Sequence, residues 1–258
     1  MDFQSSILVG NLLPIEFFST IPGVAEAFPI IEAKNYKPDW TKSAIKDLLE
    51  KKKQKDFHYD SGRFTHLSYC PGIFDLFKTG YIVPMWYDVN IKTEKNKSGF
   101  SWSVADKNFG ALGDMKFIDT HNERMTNFIP KRKGTINNIV KINTPWNVIV
   151  PEGLKLLCLP LNYPDHYDYE STTGLLDPSQ SSELNVQMNW NVENGERLIK
   201  AGTPLMHVIP LSEKTFNFEV RTANDKDLKW TTMQKYIKTF SFGPTRQLAS
   251  KIYKRFFR

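Results

Sequence analysis

The chain is poor in the signatures that announce most activities. It has two cysteines in 258 residues, Cys70 and Cys158, which form no C-x-x-C pair. The expectation is two reduced, mostly buried thiols rather than a disulfide or a metal knot. No run approaches the roughly 18 apolar residues of a membrane-spanning helix. The opening MDFQSSILVGNLLPIEFF has an acid at position 2 and no basic n-region, so it does not read as a secretory signal. Also missing are G-x-x-x-x-G-K-[ST], G-x-G-x-x-G after a strand, H-E-x-x-H and G-x-S-x-G, which removes P-loop, dinucleotide, zincin and nucleophile-elbow readings. There is no internal repeat and no low-complexity segment. Intracellular synthesis is the expectation that remains.

What is present is material for a core. The chain is 40% hydrophobic and 13% aromatic, enough for one large or two small domains without staples. A formal net charge of +6 favours acidic partners such as nucleic acid, but it serves solubility equally well, and a field is not a site.

The stretch from Lys141 to Leu211 is the centre of the expected fold. From Glu183 to Asn191 it alternates strictly, with Leu184, Val186, Met188 and Trp190 on one face and Glu183, Asn185, Gln187, Asn189 and Asn191 on the other. That is a half-buried strand. Pro151-Glu152-Gly153, the cluster near Gly174 and Asn194-Gly195 punctuate the stretch as turns. The fold class predicted is mainly β, an antiparallel sandwich or a β-clip or jelly-roll-like core, with three or four short peripheral helices.

Around this centre, residues 1–38 read as an irregular apolar arm interrupted by prolines 14, 22, 29 and 38, with one helical turn at Val24 to Ala27. Residues 39–222 are expected to form the β domain. It opens with a helix capped by Asp39, whose inward face carries Trp40, Ala44, Ile45, Leu48 and Leu49. A short helix from Cys70 should stop at Gly80. One long strand is expected from Tyr81 to Lys92, with an edge or bulge at Pro84, pairing with Phe100 to Val104 as a hairpin. Thr215 to Val220 is the last strand. Residues 223–258 should hold C-terminal helices. The first, from Asp225 to Ile237, is capped by Asp225 with Leu228, Met233 and Ile237 inward. The last is basic and amphipathic, carrying Arg246, Lys251, Lys254, Arg255 and Arg258 for contact with an anion or acidic partner.

Two constellations could carry chemistry. His166-Tyr167-Asp168, then His207, then Arg221 has the order of the iron(II) and 2-oxoglutarate oxygenases. In that resemblance His166, Asp168 and His207 are metal ligands and Arg221 grips the co-substrate carboxylate bidentately. The bland reading is a surface His166 in a polar turn and a His207 that alternates with Leu205 and Ile209 along a strand. Gly174-Leu175-Leu176-Asp177 followed by Gly202-Thr203-Pro204 resembles segments of the trimeric dUTPase and dCTP deaminase fold. There Asp177 would be catalytic, orienting a water, and Gly202 structural. The Arg-Ser phosphate motif of that family has no counterpart between Pro151 and Gly174, so donors for a triphosphate are lacking and the motifs are degenerate.

The ordered set Ile21-Pro22-Gly23, Cys70-Pro71, Gly80-Tyr81-Ile82-Val83-Pro84-Met85-Trp86-Tyr87-Asp88, Pro145-Trp146, Pro151-Glu152-Gly153 and Ile199-Lys200-Ala201-Gly202-Thr203-Pro204 with Ile209-Pro210 resembles an uncharacterised group of proteins of tailed, largely marine phages. The resemblance implies a viral origin and supplies no catalytic residues and no cofactor. It leads to the expectation of a non-enzymatic, β-rich virion structural or assembly component that contacts other subunits or phage proteins. Such a protein would be made in the host cytoplasm and carried into the particle.

Overall fold

The fold is that of a computed structural model, which describes residues 13–53, 70–95, 99–104 and 116–239, with Lys251 and Arg255. The chain opens with β1 (Pro14–Ser19), the single-turn α1 (Val24–Ala27), the two-residue β2 (Ile31–Glu32) and α2 (Asp39–Lys53). It continues through α3 (Pro71–Lys78), β3 (Tyr81–Pro84), β4 (Val89–Thr93), β5 (Phe100–Ser103), β6 (Ile118–His121), α4 (Glu123–Thr126), β7 (Ile139–Ile142) and β8 (Trp146–Ile149). The second half adds β9 (Leu156–Leu159), β10 (Tyr169–Ser171), β11 (Gly174–Leu176), β12 (Val186–Trp190), β13 (Gly195–Ile199), β14 (Pro204–Pro210), β15 (Asn217–Thr222) and α5 (Asp225–Thr239).

These strands form four sheets, ordered β15-β1-β8, β10-β12-β7-β6, β11-β9-β14-β3-β2 and β13-β4-β5. The result is mainly β, sandwich-like and mostly antiparallel, as the alternation predicts. One contiguous core draws on all four sheets, including Phe17 and Val148, Met188 and Trp190, Val83 and Val208, and Val89 and Ile91. Burying a side chain of this size contributes about 2 kcal/mol relative to leaving it in water. The alternation in β12 is realised as read, with Val186, Met188 and Trp190 buried and Gln187 exposed.

The structure corrects the sequence reading where both faces of a strand are covered. Residues 14–19, expected within an irregular arm, form β1 at the centre of its sheet. Ile15 and Phe17 enter the main core, while Phe18 packs on the opposite face with Trp230 of α5. The pairing of β1 with β15 is parallel, Pro14 opposite Asn217, within a core expected to be antiparallel. The single strand foreseen from Tyr81 to Lys92 is two strands in different sheets. Pro84 ends β3, and the chain turns through a corner in which the Met85 N–H donates to the Thr203 carbonyl (2.7 Å) and the Ala201 N–H donates to Asp88 Oδ1 (2.7 Å).

Helix faces also differ from expectation. On α2, Thr41 is buried and Ile45 and Leu49 are exposed. On α5 the inward side is Asp227, Trp230, Thr231 and Gln234, while Leu228 is exposed. A mixed polar face suffices there because Gln234 Oε1 accepts from the Ser182 hydroxyl (2.9 Å). Asn224, not Asp225, caps α5, its Oδ1 accepting from the N–H groups of Lys226 (2.9 Å) and Asp227 (3.1 Å). The side chain of Ile237 lies outside the described residues. Cys70 is exposed rather than buried. Cys158 is partly buried, and burial pushes its thiol up to about 11. No helix among the described residues is long and apolar enough to cross a membrane. Of the expected basic C-terminal helix, Lys251 and Arg255 are helical and exposed, and Arg246, Lys254 and Arg258 lie outside the described residues.

Candidate functional site

The residues singled out for iron are each engaged elsewhere. His207, buried on β14, has its Nε2 2.6 Å from the Thr79 carbonyl oxygen. Burial holds its pKa below the ordinary value, so the ring is neutral and Nε2–H donates to that carbonyl. A nitrogen carrying that proton is not free to bind a metal. Asp168 accepts from Arg197 Nε of β13 at 2.6 Å. His166 is exposed, its ring edge-on to Tyr169 with centroids 4.9 Å apart. Among the described residues no group of three His, Cys, Asp or Glu side chains is placed to hold a metal ion. The structure therefore does not bring His166, Asp168 and His207 together as a ligand set.

Arg221 is equally committed. Its guanidinium contacts Asp227 Oδ2 at 2.5 Å and Glu16 Oε2 at 3.0 Å, and it lies 5.5 Å above the Phe18 ring. Two carboxylates of its own chain occupy the fork that a co-substrate carboxylate would need. Asp177 holds a turn. Its Oδ1 accepts from the Ser179 N–H (3.1 Å) and hydroxyl (2.6 Å), and its Oδ2 from Gln180 Nε2 (3.1 Å). Those bonds leave it closing the loop after β11 rather than orienting a water. Gly202 is structural, with φ +84 in the turn before β14.

The concave feature that does stand out lies beside His166. The loop between β9 and β10 runs Pro160 to Asp168 and is tied to α2. Asp165 Oδ1 accepts the Asp39 N–H in the first turn of α2 (3.0 Å), and Trp40 Nε1 donates to the Tyr163 carbonyl (2.9 Å). Trp40 also packs with Tyr163 and Phe77, at centroid distances of 6.0 and 5.8 Å. Tyr163 adopts φ 51, a left-handed conformation that costs a non-glycine residue about 1–2 kcal/mol. Such strain persists where the surroundings fix it, and it clusters at binding sites.

Three cavities adjoin along this loop. The first, about 290 Å³, is lined by Trp40, Ile73, Tyr163, Pro164 and Tyr167. The second, about 250 Å³, shares Pro164 and Tyr167 with it and adds Tyr36, Asp165, His166 and Tyr169 among others. The third, about 460 Å³, shares Pro160, Glu170 and Ser171 with the second and has Gln187 and Asn189 of the β12 outer face, with Asn191 just past that strand, in its lining. Burial pushes the Tyr36 hydroxyl up to about 12, helped by Asp165 and Asp39, and burial likewise raises Tyr169, so both phenols stay neutral. The basic side chains along the groove are held by groups of the fold. Arg132 bonds Glu170 (3.1 Å) and lies 5.6 Å over the Tyr167 ring, while Arg197 bonds Asp168. Lys131 donates to the Asn137 carbonyl.

Sequence reasoning named His166 and Asp168 as site residues but gave no site role to Tyr36, Trp40, Tyr163, Tyr167 or Asn189. A signal was available in the segment Pro160-Leu161-Asn162-Tyr163-Pro164-Asp165-His166-Tyr167-Asp168-Tyr169, which crowds three tyrosines and two prolines into ten positions. In comparisons with known proteins, no family model and no curated protein matches the chain.

Proposed function

We propose that the protein is a phage-encoded, non-enzymatic component of the virion or of its assembly, working through contacts with other subunits or phage proteins. The observation that carries this reading is the turn at α4, where Met125, Phe128 and Ile129 are exposed within five positions and Phe128 is 86% exposed. Large apolar side chains set together at a surface mark a contact face. The engagement of His207, Asp168, Arg221 and Asp177 in hydrogen bonds and ion pairs of the fold supports a non-enzymatic role. So does the resemblance to tailed-phage proteins. Lys251 and Arg255, both exposed, offer a second contact for nucleic acid or an acidic partner. The protein would be made in the host cytoplasm and enter the particle.

Light scattering coupled to size exclusion tests the proposal. The wild type should associate with itself, or with particle proteins, and Phe128→Asp should weaken that association about tenfold or more, the cost of losing one buried aromatic contact. A wild type that stays monomeric at high concentration, together with purified particles from which mass spectrometry never recovers it, would falsify the proposal.

A further inference from the structure

We infer that the groove formed by the three adjoining cavities beside the 160–168 loop binds a neutral oligosaccharide. A pyranose ring presents an apolar C–H face and a rim of hydroxyl groups. The groove presents both complements in sequence along its length. Tyr163 and Tyr167, each half-exposed, offer apolar ring surface at one end. At the other end, the amides of Gln187 and Asn189 occupy alternate positions of β12 on the side away from the core, with Asn191 just past the strand and Thr172 in the same lining.

Asn189 supplies the most specific pointer. Its Oδ1 is shielded from solvent and has no hydrogen-bond partner among the described residues, so the amide gains a bond by turning toward a hydroxyl donor in the groove. Its neighbour Asn191 is fixed by accepting from the Thr135 hydroxyl (2.7 Å) and donating to the Tyr167 carbonyl (2.9 Å), so the amide floor and the aromatic end are one rigid unit. Arg132 pairs with Glu170, and Lys131 is held by the Asn137 carbonyl and the Thr126 hydroxyl, while Asp165 and Glu170 put negative charge in the walls, which argues against a phosphate-bearing chain. The β12 floor is hydrogen-bonded on both sides, by β10 and β7, so no peptide strand can be added to it. Together the cavities exceed the span of one sugar unit, which fits a chain of several.

This inference does not rest on the virion reading, which turns on Phe128, and either can fail alone. The test is native electrophoresis through gels containing soluble α-glucan, β-glucan, mannan, galactan or an N-acetylglucosamine polymer, followed by titration of tryptophan fluorescence with the matching hexasaccharide. At least one polysaccharide should retard the protein. Tyr167→Ala and Asn189→Ala should each weaken binding tenfold or more with an unchanged urea midpoint, while Leu211→Ala binds as the wild type does. The inference is overturned if no polysaccharide retards the protein or if neither groove substitution alters the retention. Binding of oligothymidine or a proline-rich peptide, lost in Tyr167→Ala, in place of any sugar would overturn it equally.

Discussion

At the scale of the residue, His207 shows how a side chain that reads as a ligand becomes part of the frame. Its partner is a backbone carbonyl 128 positions away, which carries no trace in the residue types. The site chemistry was therefore legible only as a roster of His, Asp and Arg, and the structure decides what each one meets. The same burial makes a prediction about pH. The folded-state pKa lies below the ordinary value of 6.5, so the unfolded chain takes up the proton first as the solution is acidified. The stability held by the neutral ring is complete above that value and is lost as pH falls through it towards the folded pKa. Between pH 7.5 and 5.5 the urea midpoint of the wild type should fall more steeply than that of His207→Gln, whose amide still donates to Thr79. Equal slopes would show that this imidazole does not couple folding to protons.

At the scale of the element, the joint between α3 and β3 is the place least tolerant of change. Gly80 has φ +82, and a Cβ built there would stand 2.2 Å from the Val208 carbonyl oxygen of β14. Backbone oxygen in a paired strand cannot step aside. Gly80→Ala should cost about 3 kcal/mol or more by urea unfolding, combining left-handed strain with a backbone clash. Gly153, with φ +78 and open space around it, provides the contrast, and Gly153→Ala should cost about 1 kcal/mol. Comparable losses at the two sites would disprove the role assigned to Val208. Elements were legible in proportion to how one-sided their burial is. The outer face of β12 meets the groove and its inner face the core, so its alternation spelled it out. β1 is covered on both faces, and its Ile15-Glu16-Phe17-Phe18 run offered no period to read. α5 was found, but its inward side was not, because Asp227 and Gln234 are buried with partners rather than exposed.

At the scale of the whole molecule, Arg221 ties distant parts of the chain into one body. It joins β15 to Glu16 of β1 and to Asp227 of α5, whose side chain is only 1% exposed. Removing the cation would leave that carboxylate buried without its counter-charge. Arg221→Met should therefore cost about 3 kcal/mol in urea unfolding, and Arg221→Lys, which keeps the charge but not the fork, should recover part of it. A loss below about 0.5 kcal/mol would place the pair among surface contacts of little weight. The pairing of β1 with β15 also imposes an order on biosynthesis. Pro14 must wait for Asn217, and at about 5–20 residues per second a ribosome takes about 10–40 s to deliver it. Through that interval β1 has at most β8 as a strand neighbour, so the newborn chain should be a client of chaperones, and its yield should depend on how well they shield that first strand.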